Sequence, residues 1–226
     1  MSVNFFPKPA PLGLISKGVI MLTCAKCGQF HCHKGDLEKL PKNCPISTNT
    51  SLYDKTTELY KTDPAQMACW SARVESGGYG VWTRMREIIE FAKQSGFTKL
   101  GLAFCVGLRK EALEVNRILE ENGFSVSSIA CKTGSRPKED LGLREEEKVK
   151  PGKFEAMCNP AAQAMLLNEE GTELNVLLGL CVGHDSMFFQ HSKAPVTVLA
   201  VKDRATGHNP LAAIYASHYF QAKLKS

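Results

Sequence analysis

Two uncharged apolar runs along the chain end in the same tripeptide. Gly101-Leu102-Ala103-Phe104 leads into Cys105-Val106-Gly107, and Leu177-Leu178-Gly179-Leu180 leads into Cys181-Val182-Gly183. Each then turns polar, at Leu108-Arg109 and His184-Asp185. A short apolar run closed by glycine and followed by helical periodicity predicts a buried parallel strand feeding a helix. The pattern predicts strands over 100–105, 124–131, 174–181 and 196–201. It places a helix over 109–122, with Ala112, Val115, Ile118 and Leu119 apolar and Gly123 as its stop. A second helix follows Asn159-Pro160, a good cap followed by a good first helical residue. A short helix runs through Phe188-Phe189, and a last one follows Asn209-Pro210 with Leu211, Ile214 and Tyr215 apolar.

Upstream of the first strand the periodicity is helical. Leu52, Leu59 and Tyr60 form a loose stripe, and Met67, Trp70 and Val74 form another. Asp63 and Pro64 suit the start of the second of these helices, and Gly77-Gly78 its end. A further helix is predicted from about Val81 to Ser95, with Trp82, Met85, Ile88, Ile89 and Ala92 on one face and Gly96 behind it. The expected fold is an α/β, Rossmann-like three-layer sandwich with a mostly parallel sheet. It is preceded by an amino-terminal cysteine knuckle and a helical segment. The expected organisation is an unstructured extension over 1–20, the knuckle over 21–50, and a helical lead-in with the α/β domain over 51–226.

Composition narrows the function. The chain has 226 residues and a net charge of +5, with 28 basic and 23 acidic residues interleaved. That balance gives a weak preference for an anionic partner and is no nucleic-acid signature. The charge-dense stretch 132–153, with Glu145-Glu146-Glu147, reads as a solvated insertion, or as a lid because it follows a strand end. No stretch reads as a secretory signal, and no run is long enough for a membrane span, so a cytoplasmic protein with no membrane partner is expected. Residues 1–20 carry Pro7, Pro9 and Pro11 and no acidic residue, and Met21 would serve equally well as a start.

The chain holds nine cysteines. In an intracellular protein that density points to metal or thiol chemistry and away from a disulfide framework. Cys24, Cys27, Cys32 and Cys44 are spaced as C-x2-C-x4-C-x11-C, followed by Pro45, with Gly28 permitting a tight turn. Four thiolates suit zinc, and equally an iron–sulfur cluster. His31 and His33 flank Cys32 and could substitute as ligands. The alternative is a zinc that only staples a small lobe. Cys69 inside a helix beside Trp70 reads as packing.

A second group forms if the strands are parallel, because their carboxyl ends then share one edge, where ligands bind in open α/β sheets. Cys105 and Arg109, Cys131 and Lys132, Cys181, His184 and Asp185, and Lys202, Asp203 and Arg204 all follow strands. Cys158 lies at a helix start, where the dipole and free amides favour a thiolate, and His208-Asn209 precedes the last helix. Cys105, Cys131, Cys158 and Cys181 could hold a second cluster. Alternatively Cys158 or Cys181 could act as a nucleophile with His184 as base. Strand-end cysteines also pack as small hydrophobes, and Lys202-Asp203-Arg204 also suits an internal salt bridge. No G-x-G-x-x-G follows the first strand, so no nucleotide cofactor is predicted.

At these residues the chain resembles the cysteine-rich domain-of-unknown-function family numbered eighteen forty-seven, found mainly in anaerobic bacteria and archaea. The resemblance rests on Cys24 through Pro45, Ala103 through Leu108, Cys131 through Gly134, Glu155 through Pro160, Gly179 through Asp185, and Lys202 through Pro210. It implies metal binding through the cysteines and carries over no reaction. The leading expectation is a metal- or iron–sulfur-binding protein whose sheet edge performs redox or thiol chemistry. Two other expectations stay open. One is a zinc-stabilised binding or sensor module for a small anion, without catalysis. The other is a thiol-dependent transferase or hydrolase.

Overall fold

A computed structural model describes residues 22–62 and 64–225. The extension over 1–20, the alternative start at Met21 and the capping role of Asp63 lie outside the described residues. The chain divides into two compact units, Met1–Gln66 and Met67–Ser226.

The first unit is built from short pieces. Single 3-10 turns cover Cys24–Lys26, His31–Lys34 and Leu37–Lys39, and two helices follow, α1 (Pro45–Thr48) and α2 (Thr50–Leu59). None of its described residues is fully buried. Leu52, Leu59 and Tyr60 are exposed, so their helical spacing marks no core.

Helix α3 (Pro64–Gly78) carries Met67, Trp70 and Val74, and α4 follows at Arg84–Gln94. The expected start of α4 at Val81 is corrected to Arg84. The Thr83 hydroxyl caps the helix by accepting from Arg86 N, and a capping hydroxyl fixes a helix start better than apolar spacing does. Trp82 folds back against Gly77 and Gly78 instead of joining the helical face. Strands β1 (Lys99–Phe104), β2 (Ser125–Ala130), β3 (Leu174–Leu180) and β4 (Val196–Val201) then alternate with α5 (Arg109–Glu121), α6 (Pro160–Glu169) and α7 (His184–His191). The end of the chain splits into α8 (Pro210–Tyr215) and α9 (Ser217–Leu224).

The sheet is wholly parallel, in the order β2-β1-β3-β4. Alternation along its strands makes two cores. Leu100, Leu102, Leu174, Val176 and Leu178 pack against Ile88, Ile89 and Ala92 of α4 and Ala112, Val115 and Leu119 of α5. On the opposite face Ala103, Leu177 and Leu180 meet Ala164 and Leu167 of α6 and Phe188 of α7. The result is the expected Rossmann-like three-layer α/β arrangement.

Strand β3 is not regular. Its register against β4 shifts around Leu178 and Leu180, and Gly179 adopts φ +68°. The extra residue turns Leu180 to the same face as Leu177. A buried polar cross-link stabilises the other end of the strand. Thr172 Oγ1 donates to Asn175 Oδ1 at 2.8 Å, and Asn175 Nδ2 donates to Ser192 Oγ at 2.9 Å. Gly101 has no side chain because a Cβ there would stand 1.9 Å from Asn175 Oδ1.

The 132–153 insertion is clasped on itself. Met157 N donates to Arg136 O, Lys138 N donates to Glu155 O, and the Lys148 ammonium lies between Glu139 and Glu145. Among the described residues no helix is long and apolar enough to cross a membrane.

A candidate thiol site at the sheet edge and a cysteine knuckle

In the order β2-β1-β3-β4 the chain leaves β1 to one side and β3 to the other, and the crevice between these two strands is the binding point of such sheets. Cys105 directly follows β1 and Cys181 directly follows β3. Cys131 follows β2 and is buried under the α6 side of the sheet. The clasped insertion brings Cys158 back to it. Asn159 N donates to Cys131 O at 2.8 Å, and the Asn159 side chain caps α6 by accepting from Ala162 N. The sulfurs of Cys131 and Cys158, 27 positions apart, therefore stand 3.9 Å from each other. Cys105 also neighbours Cys131, whose thiol lowers the Cys105 pKa, and Val106 N donates to Cys131 Sγ at 3.4 Å.

The polar groups of this edge set the charge on the sulfurs. Cys131 keeps its proton, because thiolates on both sides and burial push its pKa up. One proton serves one neighbouring sulfur at a time. Cys158 gains from the Cys131 bond, then from His184 and from the Lys132 charge, and its pKa is held down to about 3. Cys105 is lowered by the Cys131 bond, by the Gly107 amide and by Lys202. The His184 imidazole is raised in return, chiefly by Cys158. Arg204 Nη2 lies 3.7 Å from Cys181 Sγ, and that contact, with the nearby thiolates, raises the guanidinium further. The resulting array of thiolates among cations is the environment that makes cysteines nucleophilic or fits them to a cluster.

Not every predicted edge residue joins this array. Asp203 and His208 build their own loop: Asp203 N donates to His208 Nδ1, and Asp203 Oδ1 accepts from Ala205 N and Thr206 N. The internal salt bridge considered for Lys202-Asp203-Arg204 gives way to sulfur contacts from its two cations. Asp185 accepts from Ser186 N, and Arg109 opens α5 with an exposed side chain. Lys132 donates to Ala156 O. One contributor was missed in the sequence. Gln163 is fully buried, and its Nε2 donates to the carbonyls of Phe104 and Ile129, which tie together the ends of β1 and β2 just before Cys105 and Cys131. Its Oε1 has no hydrogen-bond partner among the described residues. The available signal was an amide in the middle of an apolar helix.

The thiolate state of Cys158 has a direct consequence. At pH 5 an ordinary thiol is ionised to only roughly three parts in ten thousand. Cys158 stays ionised, because its pKa lies below that pH. Lowered basicity takes back much of the gain, since nucleophilicity falls with a Brønsted slope of about 0.4–0.5. Iodoacetamide at pH 5 is therefore expected to alkylate Cys158 about tenfold faster than an ordinary exposed thiol, the advantage disappearing near pH 6. The groups that set this are Cys131, His184, Lys132 and, at longer range, Arg204. Peptide mapping after timed alkylation checks it, and uniform labelling at pH 5 would contradict it.

In the first unit Cys24, Cys27, Cys32 and Cys44 all line one cavity of about 450 Å³. Cys27 N donates to Cys24 O, closing the tight turn, and the amides of Phe30 and Gln29 lower the Cys27 thiol. Asn43 Nδ2 donates to Thr23 Oγ1, joining the two ends of the knuckle. His31 and His33 are absent from the cavity wall. His31 Nδ1 is buried without a hydrogen bond, 3.7 Å from Asp36. As the side chains stand, no three Cys, His, Asp or Glu groups among the described residues are drawn together closely enough to hold a metal ion. The donor set itself fits a thiophilic metal: the cysteines are all free and share one cavity. Cys69 is an exposed free thiol on α3.

Comparison with known proteins extends the resemblance read from the motifs. The chain is 39% identical over 204 residues to the uncharacterized protein MJ0455 of Methanocaldococcus jannaschii, a match that covers 90% of this chain and 99% of that protein. A family model described as "Protein of unknown function (DUF1847)" matches residues 44–199, a span that includes Cys44, Cys105, Cys131, Cys158, Cys181 and His184. The chain belongs to this DUF1847 family.

Proposed function

We propose that the protein binds a metal, as zinc or an iron–sulfur cluster, through Cys24, Cys27, Cys32 and Cys44, and that its sheet edge carries thiol redox chemistry. The observation that carries the metal is the character of the first unit. It has no fully buried described residue, yet it folds four free cysteines around one cavity. A unit that small lacks the core to hold itself, and a structural metal or disulfides normally make up the deficit. Free cysteines leave the metal. Amides aimed at the Cys27 sulfur favour its thiolate, and such shells close as the metal binds. Zinc would supply a fold-stabilising crosslink there, and a cluster would supply an electron carrier. The thiol half rests on the Cys105, Cys131 and Cys158 series beside His184. Lys202 and Arg204, which face sulfur, also suit the second reading, a module that binds a small anion at this edge without turnover.

Anaerobic purification with an absorption spectrum and metal and sulfide counting tests the proposal on wild type, Cys24→Ser and Cys181→Ser. Brown protein with acid-labile sulfide, bleached in Cys24→Ser, identifies a cluster in the knuckle. Colourless protein with one zinc, lost in Cys24→Ser and kept in Cys181→Ser, identifies the staple. Wild-type protein free of metal, or metal lost only in Cys181→Ser, would refute the knuckle assignment.

A further inference from the structure

The thiol half of that reading can be taken to a reaction. Cys131 and Cys158 differ in the ways that separate a resolving from an attacking thiol. Cys158 is only partly buried, sits just before the start of α6 and neighbours His184. Cys131 is 3% exposed, lies 3.9 Å behind it and is held in place by the Val106 amide. Cys158 is the more exposed of the two sulfurs, and Cys131, buried against both Cys158 and Cys105, is placed to resolve a disulfide formed on Cys158. The approach is flanked by the cations of Lys202 and Arg204, which serve Cys105 and Cys181.

We propose that Cys158 and Cys131 are the attacking and resolving thiols of a thiol–disulfide exchange site, whose substrate is an organic disulfide carrying an acidic group. The inference rests on the edge being a thiol site. The Cys158 thiolate attacks one substrate sulfur, a mixed disulfide forms, and the other half leaves as a thiolate. That thiolate takes the proton of the His184 imidazolium, which loses its stabilising anion when Cys158 is consumed. Cys131 then attacks Cys158 Sγ and expels the second half as a thiolate, and the Cys131 proton passes through solvent to that leaving thiolate. Two protein thiols lose two electrons in forming one disulfide, and the substrate disulfide gains them in becoming two thiols. Two equivalents of a small thiol reverse the change and reset the site.

One equivalent of dithiobis(nitrobenzoate) at pH 5, applied to the full-length protein as purified, tests the idea. Wild type and the Cys69→Ser control should each release two thionitrobenzoates in a burst, and peptide mapping should find Cys131 joined to Cys158. Cys131→Ser, with Cys131→Ala as a second variant in case serine is not tolerated in the buried position, should release one and keep the adduct on Cys158. Cys158→Ser should slow the burst by about tenfold or more. A stable adduct on wild-type Cys158, a disulfide to Cys105 or Cys181 in place of Cys131, or a burst indifferent to Cys158→Ser would overturn the assignment. Arg204→Met should slow the dianionic reagent by about tenfold more than it slows neutral dithiodipyridine, whose rate follows only the longer-range effect of Arg204 on the Cys158 thiolate. Equal slowing of both would remove the acidic substrate class. Metal content is read on the same samples. Exchange in a metal-free protein would sink the knuckle reading alone, whereas metal lost with Cys158→Ser or Cys131→Ser would make these sulfurs ligands and sink the exchange reaction alone.

Discussion

Replacing Phe188 by alanine is expected to cost about 3–5 kcal/mol of stability, the range for emptying a fully buried aromatic site. Phe188 has no exposed surface and fills the core formed by Ala103, Cys105, Cys131, Ala164, Leu167, Leu177 and Leu180. The space is walled by β1, β3 and α6 together with Cys105 and Cys131 at the strand ends, and most of that wall is regular structure that cannot collapse into it. The loss should extend into chemistry. His184 and Phe188 are one helical turn apart on α7, so they share a face. Freeing Phe188 loosens the ring that supports the Cys158 thiolate, and alkylation of Cys158 at pH 5 should fall toward that of an ordinary thiol. Phe189, the next residue, is 44% exposed. Phe189→Ala should therefore change stability by no more than about 0.5 kcal/mol. Urea unfolding of the two variants decides the matter. Equal costs would mean that α7 does not pack through Phe188.

This contrast shows what periodicity can and cannot reveal. The apolar runs located the strands to within a residue, because a strand covered by helices on both faces admits no charge, and β4 matches its expected span of 196–201. Asn159-Pro160 announced the start of α6 because both residues act locally, one by its side-chain acceptor and one by its fixed φ. Parallel strands then made the convergence of Cys105, Cys131 and Cys181 on one edge a matter of topology. The 3.9 Å contact between Cys131 and Cys158 was not legible, since it depends on the clasp from Arg136 to Met157, which has no periodic signature. His208 looked like a site residue because it sits in a polar loop, but its Nδ1 accepts from the Asp203 amide and helps to build that loop. The backbone irregularity of β3 was hidden for another reason. Glycine inside an apolar run fits a regular strand and a bulge equally well, and only the left-handed φ separates them.

Gly179→Ala exposes that hidden feature, with an expected loss of about 2–5 kcal/mol. Left-handed backbone costs an L-residue about 1–2 kcal/mol. Crowding adds about 1–3 kcal/mol, because a Cβ at this position would meet Leu108 Cδ1 at 2.1 Å and Lys202 Nζ at 3.5 Å. Leu108 is 5% exposed and packed in the α5 core, so its methyl has little room to swing away. It also ends the 3-10 turn Val106–Leu108, whose first amide donates to Cys131 Sγ. The strain should therefore reach the thiols, and Cys158 should lose part of its acidic reactivity as Cys131 shifts. The two components of the cost separate in a double-mutant cycle with Leu108→Ala. Removing the Leu108 side chain should cancel the crowding, so that Gly179→Ala in that background costs only the backbone share of about 1–2 kcal/mol. Simple additivity would show that close approach is not what keeps residue 179 glycine, and would leave the left-handed φ as the whole reason.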